Sequence, residues 1–310
     1  MAQQLGATKP AVLAALGAIY VIWGATYLGM MVAIETLPPF LMASIRFLVA
    51  GAILYVLMRP RERPTRRHWL SAAVVGAFLL VGGNAMVAWA EVRIDSGIAA
   101  LIVATIPLWL STLELAATGR RPSRAVVGGL LVGFAGIALL IRPGGDIDLL
   151  GAFICLLAPV SWAIGSLYSR TAALPARPLL GSGMEMLAGG ALLALVGLAK
   201  GERIDPAAVS GRSVLALAFL IVFGSLIAYS CYVWLLKVAP TELVGTYAYV
   251  NPVIAVLLGA IFLGEQITIW TLVAGAAIVL SVVTIVRAQS KPAPERVRLE
   301  PSQDGATLAA

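Results

Sequence analysis

Between residues 11 and 287 the chain is a succession of ten apolar stretches with short polar gaps between them. They run over 11–33, 37–58, 69–91, 96–117 and 124–141, then over 150–170, 178–199, 213–236, 241–263 and 267–287. A helix of ~20 residues crosses a hydrocarbon core of ~30 Å. Inside that core a backbone must satisfy its own hydrogen bonds, which leaves helices and closed barrels. Stretches of this length predict helices, and ten of them predict an all-α integral membrane protein. Composition agrees, since 12% of residues are charged where a soluble domain carries ~25%. The first stretch exceeds the ~7–15 residues of a signal-peptide core and reads as a retained helix.

The formal net charge of +7 raises the question of nucleic acid, but the basic residues are sorted by topology. With the N-terminus in the cytoplasm, sixteen fall on the cytoplasmic side: Lys9, Arg59, Arg61, Arg63, Arg66, Arg67, Arg120, Arg121, Arg124, Arg170, Arg177, Lys237, Arg287, Lys291, Arg296 and Arg298. The opposite side receives Arg93, Arg142, Lys200, Arg203 and Arg212, and Arg46 lies within a span. The positive-inside rule then places both termini in the cytoplasm. Ala, Gly and Arg usage points to a bacterial inner membrane, and no nucleic-acid partner is expected. Cys155 and Cys231 lie inside spans and read as packing residues. Neither a metal site nor a cofactor is indicated.

The chain repeats itself. WAEVRIDSGIAALIVATIPLW begins at Trp89 and WLLKVAPTELVGTYAYVNPVI at Trp234, each placing a proline eighteen residues after its tryptophan. Trp89, Pro107 and Gly119 correspond to Trp234, Pro252 and Gly264. Trp23, Arg46 and LVAGAIL (48–54) correspond to Trp162, Glu185 and LAGGALL (187–193). The expected organisation is a cytoplasmic N-terminus over 1–10, five-helix units over 11–141 and 150–287, and a disordered cytoplasmic tail over 288–310. Five is odd, so the second unit starts from the other side of the membrane. Inverted repeats are a transporter architecture, with the site near the midplane where the units meet.

WGATYL at Trp23, Arg46 in helix 2 and NPVIAVLLGAIFLGEQIT from Asn251 to Thr268 resemble the EamA-type proteins of the drug/metabolite transporter superfamily. The resemblance covers about residues 10–288. Its most specific element is Asn251, Pro252, Gly264, Glu265 and Thr268. The first unit departs from it, with Ile106, Pro107, Gly119 and Arg120 at the matching positions. The resemblance implies a ten-helix exporter or permease of small metabolites such as amino acids or drug-like amines. It also implies a cavity lined by helices 1, 3, 4, 6, 8 and 9.

Polar and aromatic residues form inward stripes. Tyr247 and Asn251 share a face of helix 9, as positions i and i+4 do. Helix 8 offers Ser225, Tyr229 and Tyr232, helix 1 offers Tyr20, Trp23 and Tyr27, and helix 6 offers Trp162, Ser166 and Ser169. Asn84 and Glu91 lie about two turns apart on helix 3. From these the expected substrate-binding set is Trp23, Tyr27, Asn84, Trp162, Tyr229, Tyr247 and Asn251, with interhelical packing as the competing role. Pro107 and Pro252 are expected to kink their helices and to free the carbonyls of Val103 and Ala248.

Charges within a bilayer are functional hypotheses by default. Arg46 and Glu185 occupy matching positions with opposite signs and are expected to pair across the two units. Glu114, near the cytoplasmic end of helix 4, is a candidate for binding a proton or a cationic solute, with snorkelling to the interface as the alternative. Glu91 is expected to pair at the surface with Arg93 and Asp95 beside it. His68 is expected at the interface. Gly129, Gly133 and Gly136 on helix 5, with Ala277 and Ser281 on helix 10, read as close-packing faces, within the chain or in a homodimer.

Motifs of an intramembrane enzyme are absent, with no HExxH, GxSxG or GxxxxGK[ST]. A scaffold or sensor would need neither an inverted repeat nor polar inward stripes. The reading is a secondary transporter of a small-molecule substrate in a lipid bilayer, driven by a solute or proton gradient.

Overall fold

The computed structural model describes residues 8–58, 63–119, 123–140, 147–239, 244 and 246–289. The expected tail from 290 onward, residues 1–7, Arg59, Arg61, Arg120, Arg121 and Arg142 lie outside the described residues. Ten apolar passes are present among the described residues. Helices 1 and 2 are Lys9–Ile34 and Pro39–Met58, and helix 3 is Arg66–Ala90. Helix 4 comes in two pieces, Ser96–Val103 and Ile106–Thr118. Helices 5, 6 and 7 are Arg124–Leu140, Leu149–Ser169 and Pro178–Ala199. Helix 8 is continuous through Gly211–Phe219, Leu220–Ala228 and Tyr229–Val238. Helices 9 and 10 are Tyr247–Leu263 and Ile269–Gln289.

Large apolar side chains cover the outside of the bundle. Leu131, Leu215 and Ile261 are 68%, 73% and 71% exposed, and contiguous apolar surface of this kind marks a face that meets a non-aqueous environment.

Two units of five helices assemble by exchanging contacts rather than by packing separately. Helix 2 packs most extensively on helix 7, helix 5 on helix 10, helix 1 on helix 8 and then helix 9, and helix 4 on helix 6. The second unit enters from the opposite end. Helix 6 starts beside Arg93 at the end of helix 3, and Asp148, its N-cap, pairs with Arg93 at 3.7 Å. The end where helix 1 begins is the near end, and the end carrying 35–38, 91–95, 200–210 and 264–268 is the far end.

Small residues make the exchanged seams possible. Without a hydrophobic force between helices in lipid, close backbone approach and hydrogen bonds hold them. A Cβ on Gly51 would lie 2.9 Å from the Gly183 carbonyl, and one on Gly190 would lie 3.0 Å from the Leu48 amide. The Ser44 hydroxyl donates to the Gly190 carbonyl at 2.8 Å. The repeated LVAGAIL and LAGGALL segments are therefore the two sides of one seam. On the other seam, Ser281 donates to the Gly129 carbonyl at 2.6 Å, so the glycine face of helix 5 is occupied by helix 10.

The far end is tied by charges that cross between units. Glu202 accepts from the Phe40 and Leu41 amides at 3.3 and 2.9 Å, capping helix 2. Glu265 accepts from the Ser96 amide and hydroxyl at 2.8 and 2.6 Å and from the Gly97 amide at 3.0 Å, capping helix 4. Gly264, at φ 69°, turns the chain so that Glu265 reaches back, a left-handed conformation natural to glycine. Asp95 stands at the N-cap position of helix 4, yet its side chain makes no cap bond there.

Two predictions follow from this packing. Gly133→Val would place a Cβ 2.2 Å from Leu108 Cδ2 and is expected to cost about 1–3 kcal/mol. It should lower the melting temperature in detergent, whereas Gly128→Val, whose Cβ meets nothing within 4 Å, should not. The second concerns Asp95, whose pKa is raised by burial and then by the Glu265 carboxylate. A carboxyl with a raised folded pKa adds stability at low pH that is lost as pH rises through that value. Asp95→Asn is therefore expected to raise the melting temperature at neutral pH and to change little in acid; an equal shift at both would contradict this.

Candidate functional site

Helices 3 and 8 each contain a stretch of π-helix, over Ala77–Ala85 and Leu220–Ala228. Such wider turns are rare and frequently mark functional sites. Each carries a glycine followed by a polar residue, Gly83 before Asn84 and Gly224 before Ser225. Arg46 of helix 2 reaches both. Its Nε donates to Ser225 Oγ at 2.9 Å and its Nη1 to Asn84 Oδ1 at 3.2 Å. The guanidinium is 5% exposed at the residue level and lies 4.9 Å from the Phe47 ring centroid.

This differs from the expected pairing of Arg46 with Glu185. The two side chains line the same cavity, but among the described residues Glu185 makes no ion pair with Arg46 within 4 Å. Arg46 is held by neutral acceptors, because the π segments bring Asn84 and Ser225 to it first.

A cavity of about 150 Å³ lies at the centre of the bundle. All seven expected binding residues line it: Trp23, Tyr27, Asn84, Trp162, Tyr229, Tyr247 and Asn251. Helices 2 and 7 also contribute, through Arg46 and Phe47 and through Ser182, Glu185 and Met186. The family resemblance had implied six lining helices without these two. Drug-sized ligand sites are ~300–1,000 Å³, so the described volume suits a small solute.

Trp23 and Tyr247 form one aromatic wall, with Tyr232 packed on both rings. Trp23 lies 5.2 Å from Tyr232 and 5.1 Å from Tyr247 between centroids, the latter edge-on. Tyr232 and Tyr247 are 5.9 Å apart, also edge-on, an arrangement favoured by ring quadrupoles. The Trp23 indole donates to the Gly224 carbonyl at 3.2 Å, so the same π segment that accepts Arg46 also anchors this wall. Ser182 donates to the Tyr229 hydroxyl at 3.1 Å. Asn251 is 7% exposed, and its amide, oriented to donate, reaches the carbonyls of Tyr247 and Tyr20 at 3.2 Å each.

The prolines act differently from one another. Pro107 stands at the start of the second piece of helix 4, after a break at Ala104 and Thr105, where a missing amide costs nothing. It opens a new piece rather than kinking a continuous helix, and Val103 beside the break lines the cavity. Pro252 lies inside helix 9.

Glu114 takes the interfacial alternative of the two open to it, and Glu91 falls elsewhere than expected. Glu114 is away from the cavity and pairs with Arg170 at 3.6 Å, both about half exposed. Glu91 is not at the surface. It is 2% exposed, and neither carboxylate oxygen has a hydrogen-bond partner. Arg93 turns to Asp148 instead. His68 is half-buried, at N3 of helix 3, and forms a capping box with Thr65. The π segments and the orphaned Glu91 had no signal in the apolar pattern beyond the Gly-polar pairs themselves.

Comparison with known proteins agrees with this architecture. The profile of the EamA-like transporter family matches the chain twice, over residues 9–142 and 149–287. An uncharacterized inner membrane transporter, YedA of Escherichia coli (strain K12), is 38% identical over 276 residues, covering 87% of this chain and 89% of its own. An uncharacterized transporter, YvbV of Bacillus subtilis (strain 168), is 25% identical, covering 93% and 95%. A solved crystal structure at 24% identity superposes with a TM-score of 0.61, covering 90% of this chain and 96% of that one, and shows the same fold. Two matches in tandem, each spanning five helices, identify the chain as a member of the EamA-like transporter family.

Proposed function

We propose that the protein exports a small metabolite, such as an amino acid or a drug-like compound, by alternating access around the central cavity. The observation that carries this reading is the convergence of seven polar and aromatic residues from both units on one small cavity. Arg46 and Glu185 stand in that space with opposite charge, which suits a solute carrying both an anionic and a cationic group. Aromatic faces accept the cation and the apolar remainder.

The distribution of Arg and Lys puts both termini in the cytoplasm, so the far end faces outward from a bacterial inner membrane. Its ties through Glu202 and Glu265 close that side, and separation of helix 4 from helix 9 opens it. The units over 11–141 and 150–287 rock against one another. Glu185 faces the cavity as a charged group, and proton coupling requires neither it nor Glu114 in its surface pair with Arg170. A homodimer would use lipid-facing surface other than the helix 5 glycines.

A thermal-shift screen of the purified protein against amino acids, polyamines, nucleosides and cationic drugs tests the cavity. A ligand that binds only the folded state raises its apparent stability. Trp162→Ala is expected to abolish the shift and to lower liposome flux about tenfold, the loss of ~1.4 kcal/mol of binding. Asn251→Ala and Tyr247→Ala should lower flux as well, but Asn251 also ties helix 9 to helix 1. A shift and flux unchanged in all three would remove the cavity from the pathway. Arg46→Ala leaves two buried acceptors without a charged donor and is expected to cost about 1.5–3 kcal/mol per bond, lowering the melting temperature and flux together.

A further inference from the structure

Glu91 is the one buried side chain among the described residues whose polar atoms lack any hydrogen-bond partner. It follows Asn84 and Val87 on one stripe of helix 3, at positions i, i+3 and i+7, which share a helical face. Asn84 and Val87 line the cavity, so Glu91 lies one turn beyond the cavity on its far-end side. A carboxylate taken out of water without a hydrogen bond is so unfavourable that the group neutralises instead. An orphaned polar group of this kind calls for a functional explanation. Neither oxygen has surface for a solute or a metal ion, so what exchanges there is as small as a proton.

We propose that Glu91 is a proton-binding residue, un-ionised while the far end is closed and exchanging its proton with water when that end opens. This rests on the alternating-access reading. The groups facing Glu91 support it from every element packed there. Helix 1 presents the neutral Tyr27 and helix 6 the neutral Cys155. Helix 2 presents Arg46, and beyond helix 9 stands Glu265. In the adjoining loop, Arg93 is engaged with Asp148, and Asp95 is an additional carboxyl. Glu265 repels a charge on Glu91 and is itself fixed to the start of helix 4. Separation of helix 9 from helix 4 takes that charge away and admits water, and both changes favour proton release. The anion formed then attracts Arg46, whose guanidinium holds Asn84 and Ser225. Proton release at Glu91 is thereby linked to the shape of the cavity.

The test uses the full chain reconstituted in liposomes. Infrared difference spectra at neutral pH are expected to show the carbonyl stretch of an un-ionised carboxyl in the wild type, lost in Glu91→Gln and retained in Glu185→Gln. Its absence from the wild type, or its persistence in Glu91→Gln, overturns the assignment. Glutamine is a neutral isostere of the acid, so the melting temperature should change little; a large drop would indicate an ionised Glu91 and contradict the proposal. For coupling, uptake of a labelled amino-acid mixture is measured with and without an imposed proton gradient. The ratio is expected to rise several-fold above unity in the wild type, to fall to unity in Glu91→Gln and to recover in Glu91→Asp. An equal ratio in wild type and Glu91→Gln overturns the coupling role. No uptake by the wild type under either condition counts against the transport reading itself and takes the coupling role with it, while the buried acid stands or falls on the infrared band.

Discussion

A single guanidinium holds the centre of this bundle together. Arg46 spans from helix 2 to the π segments of helices 3 and 8, where its guanidinium holds the Asn84 and Ser225 side chains. A π stretch interrupts the i→i−4 ladder of the α-helix around it, and carbonyls freed in an apolar surround are tolerated only where protein or water supplies partners. The Ser161 hydroxyl supplies one to the Phe78 carbonyl of helix 3 and the Trp23 indole one to the Gly224 carbonyl of helix 8, while Arg46 joins the side chains of the two segments. Cavity and charge therefore depend on each other. Without the arginine, the Asn84 and Ser225 side chains would lose the charged donor they share.

The two units are alike in helix order and unlike in charge, and the differences fall at the helix ends and at the central cavity. Both end a helix with a left-handed glycine, Gly119 at φ 62° and Gly264 at φ 69°. Only the second follows it with a glutamate, and Glu265 caps the partner unit's broken helix 4. The matching residue in the first unit is Arg120, so no equivalent carboxylate is available there. The matching pair Arg46 and Glu185 likewise diverge, one clasped by neutral acceptors and the other facing the cavity. A symmetric pair of repeats gives two packings of similar energy; unequal charges bias which is occupied.

Much of this was legible in the residues. Ten apolar runs, the paired tryptophan and proline spacing, and the matched LVAGAIL and LAGGALL segments carry the helix count, the duplication and the helix 2 to helix 7 seam, because length, period and small residues are local properties. The seven cavity residues were legible for the same reason: a polar or aromatic stripe on an apolar helix must face inward. What was not legible depends on distance in space. The apolar pattern does not distinguish a π turn from an α turn. Glu91, flanked by Arg93 and Asp95, reads as a surface residue until helix 6 delivers Asp148 to Arg93 and leaves the glutamate buried. Arg46 reads as a partner for Glu185 until Asn84 and Ser225 arrive first.

The central claim is that the two ends of the bundle open alternately about this cavity. Pulsed electron resonance on two spin-label pairs, one across the far end between the 35–38 and 264–268 connections and one across the near end between 63–65 and 171–177, tests it in liposomes after replacement of Cys155 and Cys231. The account predicts two distances at each end, with a bound solute or a change of pH shifting the two populations in opposite directions. One fixed distance at both ends, unmoved by solute and by pH, would contradict it.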